Sequence, residues 1–300
     1  MREIYRFPSV AFRPDEYLRA KTTDEVVAFL KKHGEEARIV GGGVTLHELG
    51  AMGLLSRVTK LVDIQQLGLD YVKVESGTIR IGASTPIRHI VDNDLFKREA
   101  GLRAIAEAAD FVPIQVVNVA TLAGALCTGL PILSLPPALL AADAKLKCLS
   151  SEGERILPLD DFYVDYFLTE LKGDEFVTEV LIPRPGARVG SAFKYEKLLA
   201  VDYPIGSIAV RVSLDERGKC QECRVATGSL GRIPTRIKKV EEVLARTSVD
   251  EDTIEKASAV LSKEIEAVSD LRASADYRRR LAGLLFKEAA RMAVSRGKGE

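Results

Sequence analysis

Three consecutive glycines, Gly41, Gly42 and Gly43, stand between the apolar pair Ile39-Val40 and the segment Val44-Thr45-Leu46. The pair reads as a buried strand that ends in the glycines. Glycine has no Cβ, so such a backbone can take positive φ and come close to a ligand. Successive N–H groups in a turn of this kind form a concave cradle for an anion, typically a phosphate. A plain strand-to-helix turn has the same appearance. A second small-residue segment, Asn118-Val119-Ala120-Thr121-Leu122-Ala123-Gly124-Ala125, is followed by Pro131 and Pro136-Pro137. Two such loops, each bearing a threonine (Thr45 and Thr121), suit the two ends of a pyrophosphate.

Other reactive groups are few. The four cysteines are Cys127, Cys148, Cys220 and Cys223. They make no disulfide framework for a chain of 300 residues. Cys220-Gln221-Glu222-Cys223 has no second cysteine pair to complete a zinc or iron–sulfur site. After the turn-like Asp215-Glu216-Arg217-Gly218-Lys219, it reads as two thiols on a strand edge. His33, His47 and His89 share no ligand spacing, so surface or packing roles are expected of them.

The elements that must position the two loops follow from periodicity. Thr22, Thr23 and Asp24 are N-cap candidates, Val26, Val27, Phe29 and Leu30 mark one helical face, and Gly34 ends it. The order helix, strand, glycine loop, helix is an α/β opening. Residues 60–64 read as a strand, and 71–74 with 78–82 as a hairpin turning at Glu75-Ser76-Gly77. Helices are expected over 86–93, 101–109 and 135–144, the last opened by Pro136-Pro137, since proline is tolerated in a first turn. Residues 145–149 alternate like a strand. Prolines and a glycine cluster at Pro183-Arg184-Pro185-Gly186, after the strand Val180-Leu181-Ile182, and suggest a domain boundary. Strands over 193–197, 206–214 and 224–229 and charged amphipathic helices over 252–267 and 275–295 follow.

Length suggests two or three domains. With 46% hydrophobic and 29% charged residues the chain can bury a sizeable core. Its net charge of zero argues against a nucleic-acid binder relying on a basic surface. Apolar runs such as 136–142 are too short to span a bilayer, so no membrane insertion is expected. Residues 1–6 carry no long apolar stretch of a secretory signal. A cytoplasmic location is the expectation.

Taken together, the segments resemble the FAD-binding subunit of the molybdenum hydroxylases, typified by the carbon monoxide dehydrogenase medium subunit, with the flavin domain of xanthine dehydrogenase as a relative. The resemblance runs from Phe12-Arg13-Pro14 to the C-terminal helices. Gly42-Gly43-Val44-Thr45-Leu46 matches the family's Gly-Gly signature. Asn118 to Ala125 matches its second signature, which reads Asn-x-Ala-Thr/Ser-Ile/Val-Gly-Gly-Asn. Ile81-Gly82-Ala83-Ser84-Thr85, Leu135-Pro136-Pro137-Ala138-Leu139-Leu140-Ala141, Asp161-Phe162-Tyr163 and Val180-Leu181-Ile182-Pro183 fall in family order. The departures are Val44, lacking the usual polar side chain; Ala123 and Ala125, replacing a glycine and an asparagine; and Ser134, where many members carry aspartate. The segment 195–204 is shorter than usual and lacks the family's arginine.

The resemblance implies an α+β fold: a two-lobed FAD-binding module of the vanillyl-alcohol-oxidase-like (PCMH) type, then a C-terminal domain of antiparallel sheet plus helices. Its divisions are expected at 1–60, 61–183 and 187–300. It implies that residues 41–45 and 121–124 meet the pyrophosphate, flanked by Val40, Leu46 and Ala120. It further implies that Ser134 touches the sugar portion, that Leu181 lies by the isoalloxazine edge, and that Lys197 favours charge on reduced flavin. The implied partners are a molybdopterin-containing large subunit and an iron–sulfur small subunit. Electrons would pass from the clusters through FAD to an external acceptor, and this oxidoreductase subunit would transform no organic substrate itself. Two other readings remain open: a stand-alone FAD oxidase, and a structural subunit depleted of flavin.

Overall fold

The computed structural model describes residues 13–110, 113–199 and 202–300. The segment scanned for a secretory signal, Phe12, Ala200 and Val201 lie outside the described residues.

The first lobe is a three-stranded parallel sheet in the order β1–β3–β2, from β1 (Glu16–Arg19), β2 (Ala37–Val40) and β3 (Lys60–Asp63). Helix α1 (Thr23–His33) is capped by Thr22, whose Oγ1 accepts the Glu25 N–H at 3.3 Å. It buries Val26, Val27, Phe29 and Leu30 against the sheet, as its periodicity requires. Helix α2 (Val44–Ala51) follows β2 directly after the glycines. Strand β3 pairs with both other strands, so Lys60–Asp63 belongs to this sheet.

The second lobe is an antiparallel sheet ordered β4–β5–β10–β6–β7. Its strands are β4 (Val72–Glu75), β5 (Thr78–Gly82), β6 (Lys145–Ser150), β7 (Gly153–Pro158) and β10 (Phe176–Pro183). A small hairpin, β8 (Tyr163–Asp165) with β9 (Leu168–Thr169), precedes β10. Between β5 and β6 lie helices α3 (Ile87–Val91), α4 (Asp94–Arg98), α5 (Arg103–Asp110), α6 (Ile114–Val117), α7 (Leu122–Cys127) and α8 (Leu135–Ala141). Ile79, Ile81, Leu146 and Val180 from the sheet share one core with Phe96, Ile105, Leu122, Leu126 and Leu139 from the helices.

The third lobe is an antiparallel sheet of β11 (Val189–Glu196), β12 (Gly206–Leu214), β13 (Cys220–Gly228) and β14 (Thr235–Arg236) in that order. Helices α9 (Lys238–Leu244), α10 (Glu251–Glu264) and α11 (Ala275–Lys298) complete it. Alternate residues of β12 face opposite layers. Ile208, Val210 and Val212 join the core under these helices, while Ala209 joins the second lobe's core. Cys220 and Cys223 lie on the stretch of β13 that β14 does not reach, as the strand-edge reading has it, but their side chains are not exposed: both join the core under the helices and are 1% and 5% exposed.

Candidate functional site

A cavity of about 1010 Å³ opens between the first two lobes, walled by both small-residue loops. Gly43 has φ 72°, the left-handed region that favours glycine, and it precedes α2 without a side-chain cap. The N–H groups of Val44, Thr45 and Leu46 in the first turn therefore meet no acceptor among the described residues. These three residues line the cavity. In the second loop the Thr121 Oγ1 accepts the Gly124 N–H at 3.1 Å and caps α7. The Leu122 N–H goes to the Thr85 carbonyl, and Ala125 to the Thr121 carbonyl. The Ala123 N–H is left without an acceptor among the described residues.

The two loops also lock against each other. A Cβ on Gly42 would stand 1.8 Å from the Val119 carbonyl oxygen, and one on Gly41 would stand 2.8 Å from the Thr121 Oγ1. The glycines thus permit a loop-to-loop contact as well as an open donor row.

Of the residues singled out from sequence, Gly41, Gly42, Gly43, Val44, Thr45, Leu46, Ala120, Thr121, Ala123, Gly124 and Ser134 line this one cavity. The Ser134 Oγ is buried and has no hydrogen-bond partner among the described residues. Three residues are not in the wall. Val40 ends β2, where its carbonyl accepts the Ile64 N–H at 3.1 Å. Leu181 sits towards the far end of β10, in register with Arg80 and Lys145; it is Phe176 and Val177, at the near end, that line the cavity. Lys197 follows β11, its Nζ 5.8 Å from the Tyr195 ring centroid.

Sequence reasoning missed several wall residues. Asp202 and Tyr203 close one side, and the Tyr203 hydroxyl donates to the Glu48 carboxylate at 3.0 and 3.2 Å. Burial, then the Glu48 charge, pushes Tyr203 up to about 12. Phe167 and Leu168 from the β8–β9 hairpin, with Lys172 and Glu175, form another side. The only signal for Tyr203 was its place in the segment 195–204. Cys127 also lines the cavity, and burial pushes its thiol up to about 12. Among the described residues no group of three His, Cys, Asp or Glu side chains could hold a metal.

Comparison with known proteins agrees with this architecture. Residues 10–185 match the FAD binding domain in molybdopterin dehydrogenase, and residues 191–293 match the CO dehydrogenase flavoprotein C-terminal domain. The chain is 29% identical over 285 residues to the 6-hydroxypseudooxynicotine dehydrogenase complex subunit alpha of Paenarthrobacter nicotinovorans, covering 94% of this chain and 95% of that one. It is 28% identical to the carbon monoxide dehydrogenase medium chain of Afipia carboxidovorans, covering 94% and 98%. A chain of the crystal structure of the cyanide-inactivated Cu,Mo-CO dehydrogenase superposes with a TM-score of 0.89 at 28% identity, covering 94% of this chain and 99% of that chain. With both halves matched and the two-loop cavity in place, the chain belongs to the family of FAD-binding subunits of the molybdenum hydroxylases.

Proposed function

We propose that this chain is the electron-transfer flavoprotein subunit of a molybdenum-containing dehydrogenase. In this reading it takes electrons from iron–sulfur clusters of a small subunit and delivers them to an external acceptor. A molybdopterin-containing large subunit oxidises the substrate. The observation that carries the reading is the cavity itself: two facing loops with N–H groups, and a buried Ser134 hydroxyl, that have no partner among the described residues. These residues fit FAD. When bound, FAD supplies the redox chemistry and takes up its own protons.

The chain's part is to bind and orient. The N–H groups of Val44, Thr45, Leu46 and Ala123 donate to the two phosphates, and the Thr45 hydroxyl assists. By capping Gly124, the Thr121 side chain fixes the direction of the Ala123 N–H. Ser134 donates to the sugar portion. The backbone supplies most of these donors, so Ala123 and Val44 leave the cradle intact despite departing from the family signature. Four free thiols among the described residues fit a reducing compartment, so the cytoplasm is part of the reading.

The test is flavin content and its reduction. The purified chain should hold one FAD and stay oxidised with small organic substrates alone. It should be reduced once the molybdenum and iron–sulfur subunits and their substrate are added. Unaided turnover with oxygen would make it an oxidase. A chain that stays colourless in excess FAD would make it a structural subunit.

A further inference from the structure

The Cys-x-x-Cys of the third lobe has no part in the flavin site, and its geometry is unusual for a strand. Residues three apart on a regular strand face opposite sides and lie about 10 Å apart. Here Cys220 is in register with Leu214 and Cys223 with Val212, because a bulge lets Gln221 slip out of the ladder with β12. Three steps on β13 therefore span two on β12. That places the two cysteine Cα atoms about 6.7 Å apart, the length of two strand residues, with both side chains on one face. This separation is at the upper end of the range that a disulfide bridges, roughly 4.4–6.8 Å. The observed burial agrees: both cysteines lie in the core under the helices, while Gln221 and Glu222 between them are exposed.

We propose that Cys220 and Cys223 are a redox-active dithiol that hydrogen peroxide closes reversibly to an intrastrand disulfide. Among the described residues no third ligand stands with the two sulfurs, so the pair is not a metal site. The mutual influence of the two thiols lowers Cys220 and raises Cys223. Cys220 is thus the better nucleophile. Its thiolate attacks one peroxide oxygen, the O–O bond breaks, and the displaced hydroxide takes a proton to leave as water. Cys223, giving up its proton, attacks the sulfenic sulfur of Cys220 and expels a second water. Two thiols and one peroxide become one disulfide and two waters.

Access is through the turn that pairs with the backbone of Cys220 along the side of β13 that β14 does not reach. The Cys220 N–H donates to the Thr247 carbonyl at 2.8 Å, and the Arg246 N–H donates to the Cys220 carbonyl at 2.7 Å. That turn contains two non-glycine residues in the left-handed region, Arg246 at φ 65° and Val249 at φ 48°. For a β-branched valine this is an outlier. Backbone held in this way opens at lower cost than the sheet beneath it.

The experiment uses the full-length wild-type protein. It is treated with hydrogen peroxide, its remaining thiols are blocked in denaturant with an alkylating agent, and it is digested with trypsin. Cleavage after Lys219 and Arg224 isolates both cysteines in one peptide. That peptide should appear lighter by two hydrogens and unalkylated, with two of the four thiols lost. Dithiothreitol should restore all of them, and the melting curve should show that the protein stayed folded throughout. The proposal fails if the peptide still takes two alkyl groups at peroxide doses that oxidise the methionines. It fails equally if its sulfurs gain oxygen or pair with Cys127 or Cys148, or if the bridge forms only in denaturant.

Discussion

Ser134 and Gly42 show two ways in which a single residue serves the cavity. Ser134 presents a buried hydroxyl with no partner among the described residues, a group that costs free energy until something bonds it. Ser134→Ala is therefore expected to leave the flavin-free protein as stable as before, or slightly more so. It should weaken FAD by about 1 kcal/mol, roughly a five-fold rise in Kd. Fluorescence titration beside a melting curve separates the two effects, and an unchanged Kd would remove Ser134 from the contact set. Gly42 is different. From sequence it stands for close approach to a phosphate, yet its missing Cβ makes room for the Val119 carbonyl of the other loop. A glycine row announces that something comes close; it cannot say whether ligand or protein does. Ser134 itself was legible only through the family resemblance, because an isolated serine carries no local signal.

At the scale of elements, periodicity located most of the architecture. The hairpin of β4 and β5, the proline-opened α8 and the strand β12 stand where alternation and turn residues put them. That Leu181 stands outside the cavity wall while Phe176 and Val177 line it was not legible in the sequence, for a physical reason. Residues 176–180 of β10 are all buried, so the strand lacks the alternation that would show which end meets the cavity. Pairing across the sheet decides it, and that is invisible in one sequence.

The near end of β10 is held by Glu175, whose side chain is 1% exposed and takes two hydrogen bonds from Arg155 of β7 at 2.6 and 2.7 Å. Burial alone would raise the Glu175 carboxyl, but Arg155 and the Lys172 N–H outweigh it and leave its pKa lowered. A depressed carboxylate stabilises fully above its unfolded value of about 4.5, and the contribution is lost as pH falls through the lower folded value. Glu175→Gln should cost about 2 kcal/mol, less than a fully buried pair because Arg155 is partly exposed. It should also flatten the acid limb of the stability curve. Urea midpoints at neutral and acid pH measure both; equal losses at the two would show that the pair's charge is not what matters.

Across the whole molecule, the cavity belongs to the first two lobes, but its closure depends on the third. The Arg272 guanidinium, just ahead of α11, bonds Asp202 at 2.8 Å, the Pro204 carbonyl at 3.3 Å and the Tyr203 carbonyl. The strap so fixed reaches over the cavity, and Tyr203 ties it to Glu48 on α2 of the first lobe. Breaking that tie should ease escape of the cofactor without unfolding any lobe, because each has its own sheet and the strap is a loop of the third lobe that touches the first through Tyr203. Tyr203→Phe removes one hydrogen bond to a carboxylate, worth about 1 kcal/mol at a partly exposed site, so FAD should leave about five times faster. The tyrosine must be protonated to donate. Its folded pKa is raised from 10 to about 12, so the tie is complete below pH 10 and lost as pH approaches 12. Release from the wild-type protein should therefore be flat through neutral and mildly alkaline pH and accelerate towards pH 12, while the variant, already fast, loses that dependence. Flavin fluorescence after rapid dilution follows the rate. A variant that releases FAD at the wild-type rate would mean that the strap does not hold the cavity shut.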